Sequence, residues 1–456
     1  MRLIHLGLGA FHRAHQVWYT QHAEADPAHP EWGYASFTGR GPRMADLLAP
    51  QDGLYTLVTR SGEGDSPELI TSLVEARPAA DLPRLVELMA DPDVAVVTLT
   101  VTEAGYHLDG SGDLDVAHDD VAADLKALSG LSGDSLDDAS ELHLATAAGR
   151  IVAGLIARRA ASAGGMAVMS CDNIADNGAL TRASVLGLAT AVDAELADWI
   201  AAEVTFPSTS IDRITPATNE SLLDDVEKHT GFADAAPVVT EPFASWIIEG
   251  EFPAGRPEWE RAGAEFVDDI AQFERRKLWL LNGSHSLMAY LGQLRGHDTV
   301  ADAIGDPEVR GRVIDLWGEA ARHLTADGLD VPAYREALIE RFENPRIVHN
   351  LAQIAIDGAT KQRMRAVPIL KAELAAGRDG AGAAASVAAW VAFVLDRDGD
   401  VADTRADEIA AAAGDADDPV RALVAVLDDG LAADDDVVER IRAAVDDLTD
   451  SPDTDK

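Results

Sequence analysis

The first ~215 residues alternate between short apolar runs and helical periodicity, and few folds satisfy that rhythm. Runs at 2–8, 34–38, 54–58, 95–101, 166–170 and 204–211 have the length and character of buried strands. Stretches at 14–24, 82–90, 118–129, 142–163 and 178–202 carry helix patterns between many of them. Strands joined through helices pair parallel, and a parallel sheet needs both faces covered. The expected class is therefore α/β, with a mostly parallel sheet in the N-terminal part. After "VVTEPFASWIIEG" (238–250) the strand signal fades, and from about 268 the pattern is helical. A chain of 456 residues exceeds one ordinary core. The Pro/Gly-bearing "GEFPAGRP" (250–257) marks the break, giving an N-terminal domain over 1–265 and a mostly α-helical one over 266–456.

Charge narrows the class of partner. Seventy-nine acidic residues face 37 basic ones, a net of −42. Such a surface repels nucleic acid and anionic lipid, so neither is expected as a partner. The 47% apolar content excludes a disordered chain. Salt adaptation and a GC-rich genome's Asp/Ala/Arg bias both explain the acidity. No apolar run approaches the ~20 residues of a membrane span. "MRLIHLGLGA" reads as a first strand rather than a signal peptide, and the single Cys171 suits a reducing cytoplasm.

"LIHLGLGAFHRAHQ" passes from strand to helix through Gly7-x-Gly9. The first glycine permits a tight turn, and the second lets a pyrophosphate approach the backbone. The third glycine of the dinucleotide fingerprint is absent, with Phe11 and His12 in its region. Arg13, in the first helical turn, is placed to pair with phosphate. The alternative is a tight turn without a ligand. The acidic residue that usually ends the second strand is also missing. Arg40 and Arg43 stand there instead, either as a seat for a 2′-phosphate, which would favour NADP, or as solvated loop residues.

"KLWLLNGSHS" (277–286) sets polar groups in an otherwise apolar helical stretch. On a 3.6-residue helix Glu274, Lys277, Asn282 and His285 fall within an arc of ~140°. A lysine in apolar surroundings has its ammonium form disfavoured, which suits a general base for an alcohol. Asn282 offers N–H donors to an alkoxide, His285 holds a neighbouring hydroxyl, and Glu274 relays the proton or tunes the lysine. Each residue alone reads as core packing or a snorkelling side chain; together on one face they read as a site. In "VMSCDNIADNG" (168–178), Asn173 stands at a strand's C-terminal edge, where open α/β sheets bind ligands. "SIDRITP" (210–216) places Asp212 at another apparent strand end, for sugar hydroxyls or for pairing with Arg213. Arg346 and His349, three apart, share a face if that segment is helical. Lys361, Arg363 and Arg365 form a basic cluster, for an anionic substrate or for a helix dipole. One cysteine and no H-E-x-x-H leave His12 and His15 as the only close metal ligands, so no metal site is expected.

"GLGAFHRAHQ", "QDGLYTLV", "TVTEAGY", "SCDNIADNG", "DRITP", "EPFASWIIEG", "KLWLLNGSHS" and "NPRIVH" occur in this order over about 350 residues. As a set they resemble the polyol-specific long-chain dehydrogenases, which include mannitol 2-dehydrogenase, mannitol-1-phosphate 5-dehydrogenase, and fructuronate and tagaturonate reductases. The resemblance implies a Rossmann-type N-terminal domain, a helical C-terminal domain and an active site in the cleft between them. It also implies metal-independent hydride transfer with NAD, NADP remaining possible. It places the base on Lys277, paired asparagines on Asn173 and Asn282, the substrate-holding histidine on His285 and the proton-path glutamate on Glu274. Asp212, Arg346 and His349 are its further substrate contacts, and Lys361 joins them as a cation facing substrate. The expected substrate is a small polyol or sugar acid. Mannitol/fructose leads, followed by fructuronate/mannonate and mannitol 1-phosphate, with a non-catalytic dinucleotide sensor as the reading from another class. Oligomeric state is not legible.

Overall fold

The computed structural model describes residues 2–129, 142–218, 221–415 and 417–449. The chain divides into two compact units, Met1–Ile270 and Ala271–Lys456.

The first unit is built on a six-stranded sheet. Its strands are β1 (Leu3–Leu6), β2 (Tyr34–Phe37), β5 (Leu73–Arg77), β6 (Val96–Leu99), β7 (Met166–Ser170) and β8 (Val204–Thr205). They lie in the order β5-β2-β1-β6-β7-β8, and every neighbouring pair is parallel. Numbered within this sheet, the order is 3-2-1-4-5-6, that of a Rossmann fold, with its topological switch between β1 and β6. All four residues of each of β1, β2 and β6 are buried, as strands covered on both faces must be.

Two expected strands belong elsewhere. The run at 54–58 is β3 (Tyr55–Ser61), which forms a hairpin with β4 (Gly64–Ile70) and a separate three-stranded sheet with β10 (Val238–Thr240). The main sheet takes β5 instead, a short edge strand with only two of its five positions buried, whose apolar signal is correspondingly weak. The run at 204–211 is broken by Pro207, which has no N–H to donate to a ladder. Val204–Thr205 stays in the main sheet as β8, and β9 (Ser208–Asp212) pairs antiparallel with β11 (Ser245–Glu249) in a third sheet completed by β12 (Glu265–Phe266). The helix expected over 178–202 is two, Asn177–Val192 and Ala194–Glu203, divided at Asp193, whose carboxylate caps the second.

The second unit is helical throughout its described residues. Its centre is Ala381–Leu395, "AGAAASVAAWVAFVL", thirteen of whose residues are buried. A helix apolar on all sides belongs in a core, and this one packs against helices Gly283–Leu294, Pro307–Ala321, Ala366–Ala375 and Asp435–Thr449. Gly382 abuts the backbone of Asp315 and Leu316, so a side chain there would separate the two helices. The Glu319 carboxylate accepts the N–H groups of Gly382 and Ala383, both at 2.8 Å, and so caps the central helix from another element.

The segment at 277–285 departs from a uniform α-helix. Ala271–Arg276 is α-helical, Lys277–Asn282 is a π-helix, and Gly283–Leu294 is α-helical again. Among the described residues no helix is long and apolar enough to cross a membrane.

Candidate active site

In the first unit, the Gly7–Gly9 loop leaves the C-terminal end of β1 between the ends of β2 and β6. The N–H groups of Gly7 and Leu8 both donate to Phe37 O at 2.9 Å, and Thr100 Oγ1 donates to Gly7 O at 2.9 Å. Gly7 has φ +116°, and a Cβ there would stand 2.1 Å from Thr100 O, so the turn itself requires glycine. Gly9 differs. Its φ of −127° is ordinary extended backbone, and a Cβ would meet nothing nearer than Gly7 O at 3.5 Å.

The residues after Gly9 are committed to packing. His12 lies under the loop, stacked on His5 at 3.4 Å and bonded to Ser36 Oγ at 2.9 Å. His5 in turn contacts Thr98 Oγ1 and Thr100 Oγ1. Burial holds His5 down to about 3 and His12 well below the usual imidazole value, so both are neutral. This stack fills the region where a third fingerprint glycine would bring the helix close. Phe11 is half-buried and stacks on His15. Arg13 corrects the sequence expectation: it is 2% exposed, donates to Gly9 O and Ala236 O, and lies over Tyr55. It ties the loop down and presents no face to a phosphate. Arg40 is exposed in the turn that follows β2, and Arg43 is exposed at the start of helix Arg43–Leu48.

At the ends of β6 and β7 the structure adds a residue that sequence reasoning missed. Asp172, 8% exposed, accepts the N–H groups of Val101 (3.1 Å) and Thr102 (2.9 Å) and the hydroxyl of Tyr106 (2.6 Å). Thr102 has φ +69° and ψ 162°, a strained conformation for a β-branched residue. Next to this anchor, exposed Asn173 stands at the C-terminal edge of the sheet. Asn177 is structural: its amide donates to Asp172 O and Thr209 O and accepts the N–H of Thr209. Asp212 is 9% exposed at the end of β9. Arg213 donates to Ala14 O and Glu241 O and covers Trp18.

In the second unit, Lys277 opens the π-helix and Asn282 closes it, both half-buried, with half-buried Glu274 one turn earlier and His285 8% exposed one turn later. A π-helix bonds i to i+5 and disturbs the regular α-helical ladder. Its carbonyls receive distant donors, Trp317 Nε1 at Leu280 O and Arg365 at Asn282 O (3.0 Å), and Ser284 Oγ, one turn on, also donates to Leu280 O. The uniform 3.6-residue arc therefore does not describe this segment. The His285 ring packs on His349 at 4.8 Å and Phe342 at 5.1 Å. Burial first, then the charges of His349, Arg341, Arg365 and Lys361, lower its pKa and keep it neutral. Arg346 is exposed and belongs to a turn, not a helix. The preceding helix ends at Phe342 because Pro345 disfavours helical backbone just before it. Lys361 is half-buried, and Arg363 is exposed. Among the described residues no group of three or more His, Cys, Asp or Glu is arranged to hold a metal ion.

Residues 1–261 match the mannitol dehydrogenase Rossmann domain, and residues 269–449 match the mannitol dehydrogenase C-terminal domain. The chain belongs to the mannitol dehydrogenase family. One relative within it is the D-mannonate oxidoreductase of Escherichia coli (strain K12), 38% identical over 412 residues, covering 88% of this chain and 82% of that protein. Among solved structures, the Pseudomonas fluorescens mannitol 2-dehydrogenase ternary complex with NAD and D-mannitol is 32% identical with a TM-score of 0.75. It covers 99% of this chain and 92% of that one. A D-sorbitol dehydrogenase in substrate-free form is 27% identical with a TM-score of 0.88, covering 99% and 93%. The family's two domains thus account for nearly all of the described fold.

Proposed function

We propose that this chain is a cytoplasmic, metal-independent NAD(P)-dependent oxidoreductase that interconverts a secondary alcohol of an open-chain polyol or aldonate with the matching ketose or keto-acid. The observation that carries the reading is Lys277 at the head of a π-helix that also bears Asn282 and leads into His285. Irregular helix of this kind recurs at functional sites. Here the carbonyls of Leu280 and Asn282 accept from Trp317 and Arg365, side chains from elsewhere in the unit, so the distortion is built in.

Gly9 supports a dinucleotide partner. The chain's own packing tolerates a side chain at that position, so the glycine is explained by a phosphate group approaching the backbone. The NAD and D-mannitol of the P. fluorescens complex agree with this partner and with an alcohol substrate. A bound nicotinamide supplies the hydride acceptor in oxidation and the donor in reduction. The chain's own residues manage the proton. Lys277 takes it from the substrate hydroxyl, Asn282 and Asn173 donate hydrogen bonds to the developing alkoxide, and Glu274 carries the proton onward. Neutral His285 holds an adjacent hydroxyl, with Asp212, Arg346 and His349 as further contacts. Arg40 is the residue to examine for NADP over NAD.

Replacing Lys277 with Ala tests the base directly. General-base catalysis contributes about 10²–10⁴-fold, so kcat should fall by that order while NADH still binds with its normal affinity. Near-normal turnover would remove Lys277 from the role.

A further inference from the structure

Asp172 is clamped through its side chain and its backbone together. The carboxylate accepts from Val101 N (3.1 Å), Thr102 N (2.9 Å) and the Tyr106 hydroxyl (2.6 Å). The N–H of Asp172 donates to Ser170 Oγ at 3.1 Å, and its carbonyl accepts from the Asn177 amide at 3.0 Å. The clamp is itself tied down. Tyr106 gives its one phenolic proton to the carboxylate, so the Ser170 hydroxyl donates to the phenol oxygen (2.6 Å). Tyr106 O accepts the Ser184 hydroxyl at 2.8 Å. Asn177 bonds to Thr209, whose hydroxyl donates to Ser170 O at 2.7 Å. The ends of β6 and β7, helix Asn177–Val192 and β9 thus converge on one residue. The next residue along the chain is Asn173, which is exposed.

Stability alone does not account for this arrangement. Thr102 donates to Asp172 while held at φ +69° and ψ 162°, a region that glycine alone occupies without strain. The three donors to the carboxylate are neutral, so a charge at 8% exposure is kept on hydrogen bonds and not on a cation. Burial first, then the Asp172 charge, raise the Tyr106 pKa, so the phenol keeps its proton and remains a donor. Strain and buried charge both stand at the C-terminal ends of β6 and β7, beside the topological switch where open α/β sheets bind ligands. Strain persists only where the surroundings over-determine it, and it clusters at functional sites.

We propose that Asp172 is a positioning residue, whose clamped carboxylate fixes the backbone from which Asn173 presents its amide to the developing alkoxide. The inference rests on the dehydrogenase reading above and extends it from the groups that touch the substrate to the group that aims one of them. A donor to a reacting oxygen must sit within about 0.5 Å of its productive place, so what holds it governs the rate.

The test is a double-mutant cycle of Asp172→Asn and Asn173→Ala. It is read as kcat for NADH or NADPH oxidation with the best of fructose, fructuronate, tagaturonate and fructose 6-phosphate, with the NADH dissociation constant measured alongside. Asparagine has the shape of aspartate but turns one acceptor into a donor that faces a backbone N–H. Asp172→Asn should lower kcat about 10- to 100-fold, the range found for groups that orient active-site ligands from behind. KM and the NADH dissociation constant should stay within about 3-fold of the wild type, as for a loss felt in the transition state. In the Asn173→Ala background the same substitution should cost less than about 3-fold, because the group it aims is gone. Tyr106→Phe keeps the core's shape and removes one donor, and it serves if Asp172→Asn folds poorly. It should lower kcat about 3- to 10-fold, again only while Asn173 is present. Equal losses in the two backgrounds, or NADH affinity lost in step with kcat, make Asp172 a support of the fold alone and overturn the inference. Wild-type kcat in Asn173→Ala removes that asparagine from the site and the inference with it, and leaves the dehydrogenase standing. No turnover of any of the four ketoses by the unaltered chain overturns both.

Discussion

Two glycines that follow the same strand should fail in opposite ways. At Gly7 an alanine Cβ would stand 2.1 Å from Thr100 O and 2.6 Å from Thr100 Oγ1, in a backbone at φ +116°. The backbone conformation alone costs about 1–3 kcal/mol for an L-residue. Relieving the clash means parting β1 from β6 at the sheet's switch point, a comparable overpacking cost of about 1–3 kcal/mol. Gly7→Ala should therefore destabilise the first unit by about 2–6 kcal/mol, lowering its melting temperature by about 4–24 °C for a domain of this size. At Gly9 the nearest neighbour of an added Cβ is 3.5 Å away and the φ is −127°. The weaker N-cap of alanine is offset by the smaller entropy of its unfolded chain, and the net should stay within about 0.5 kcal/mol. What Gly9→Ala should lose is the close approach of a pyrophosphate. One charge-assisted hydrogen bond to the loop is worth about 1.5–3 kcal/mol, so the dissociation constant of NADH should rise about 10- to 100-fold. Calorimetric melting and NADH fluorescence titration of the two variants measure both axes. A Gly9→Ala protein that binds NADH as the wild type does, or that melts early alongside Gly7→Ala, refutes the assignment of this loop to a dinucleotide.

Two further predictions concern solution conditions. His5 is held down to about 3 and His12 well below the free value of about 6.5, so the unfolded chain binds protons that the folded one refuses. Their contribution is complete above about pH 6.5 and falls as pH drops below it, by about 2 kcal/mol for His5 at pH 5, with His12 adding in the same direction. The first unit's melting temperature should decline across that window, before ordinary carboxylates titrate, and His12→Gln, which can keep the Ser36 bond, should flatten the decline. A flat profile from pH 7 to 5 in the wild type would contradict the buried neutral pair. If the net charge of −42 reflects salt adaptation, the melting temperature should climb as KCl rises from about 0.1 to 1 M, where the screening length shortens from about 10 to 3 Å. Indifference to KCl would point to base composition.

The fold was legible where burial is complete and hidden where it is partial. β1, β2 and β6 are buried at every position, and continuous apolar runs of that kind stand out in a sequence. β5 could not be seen in the same way. "LVEAR" is a half-covered edge strand, and its place in the sheet is set by pairing with β2 rather than by its own pattern. Pro207 was readable as a break, yet which side of it joined which sheet depended on the antiparallel pairing of β9 with β11, 33 or more residues downstream. In the site, the residue types of Lys277, Asn282 and His285 signalled chemistry, because polar groups in an apolar helix need a reason to be there. Asp172 gave no such signal. An aspartate after a strand is ordinary loop chemistry until the N–H groups of Val101 and Thr102, 71 and 70 residues earlier, are seen converging on it.

The π-helix shows why the remainder was out of reach. Its acceptors are satisfied by Trp317 from 37 residues beyond Leu280 and by Arg365 from 83 residues beyond Asn282. Nothing within the ten residues of "KLWLLNGSHS" announces either partner, so a uniform α-helix is the natural local expectation. Arg365 also donates to Ser286 Oγ at 2.8 Å, so its removal would leave Asn282 O without that donor and disturb the helix that carries Lys277.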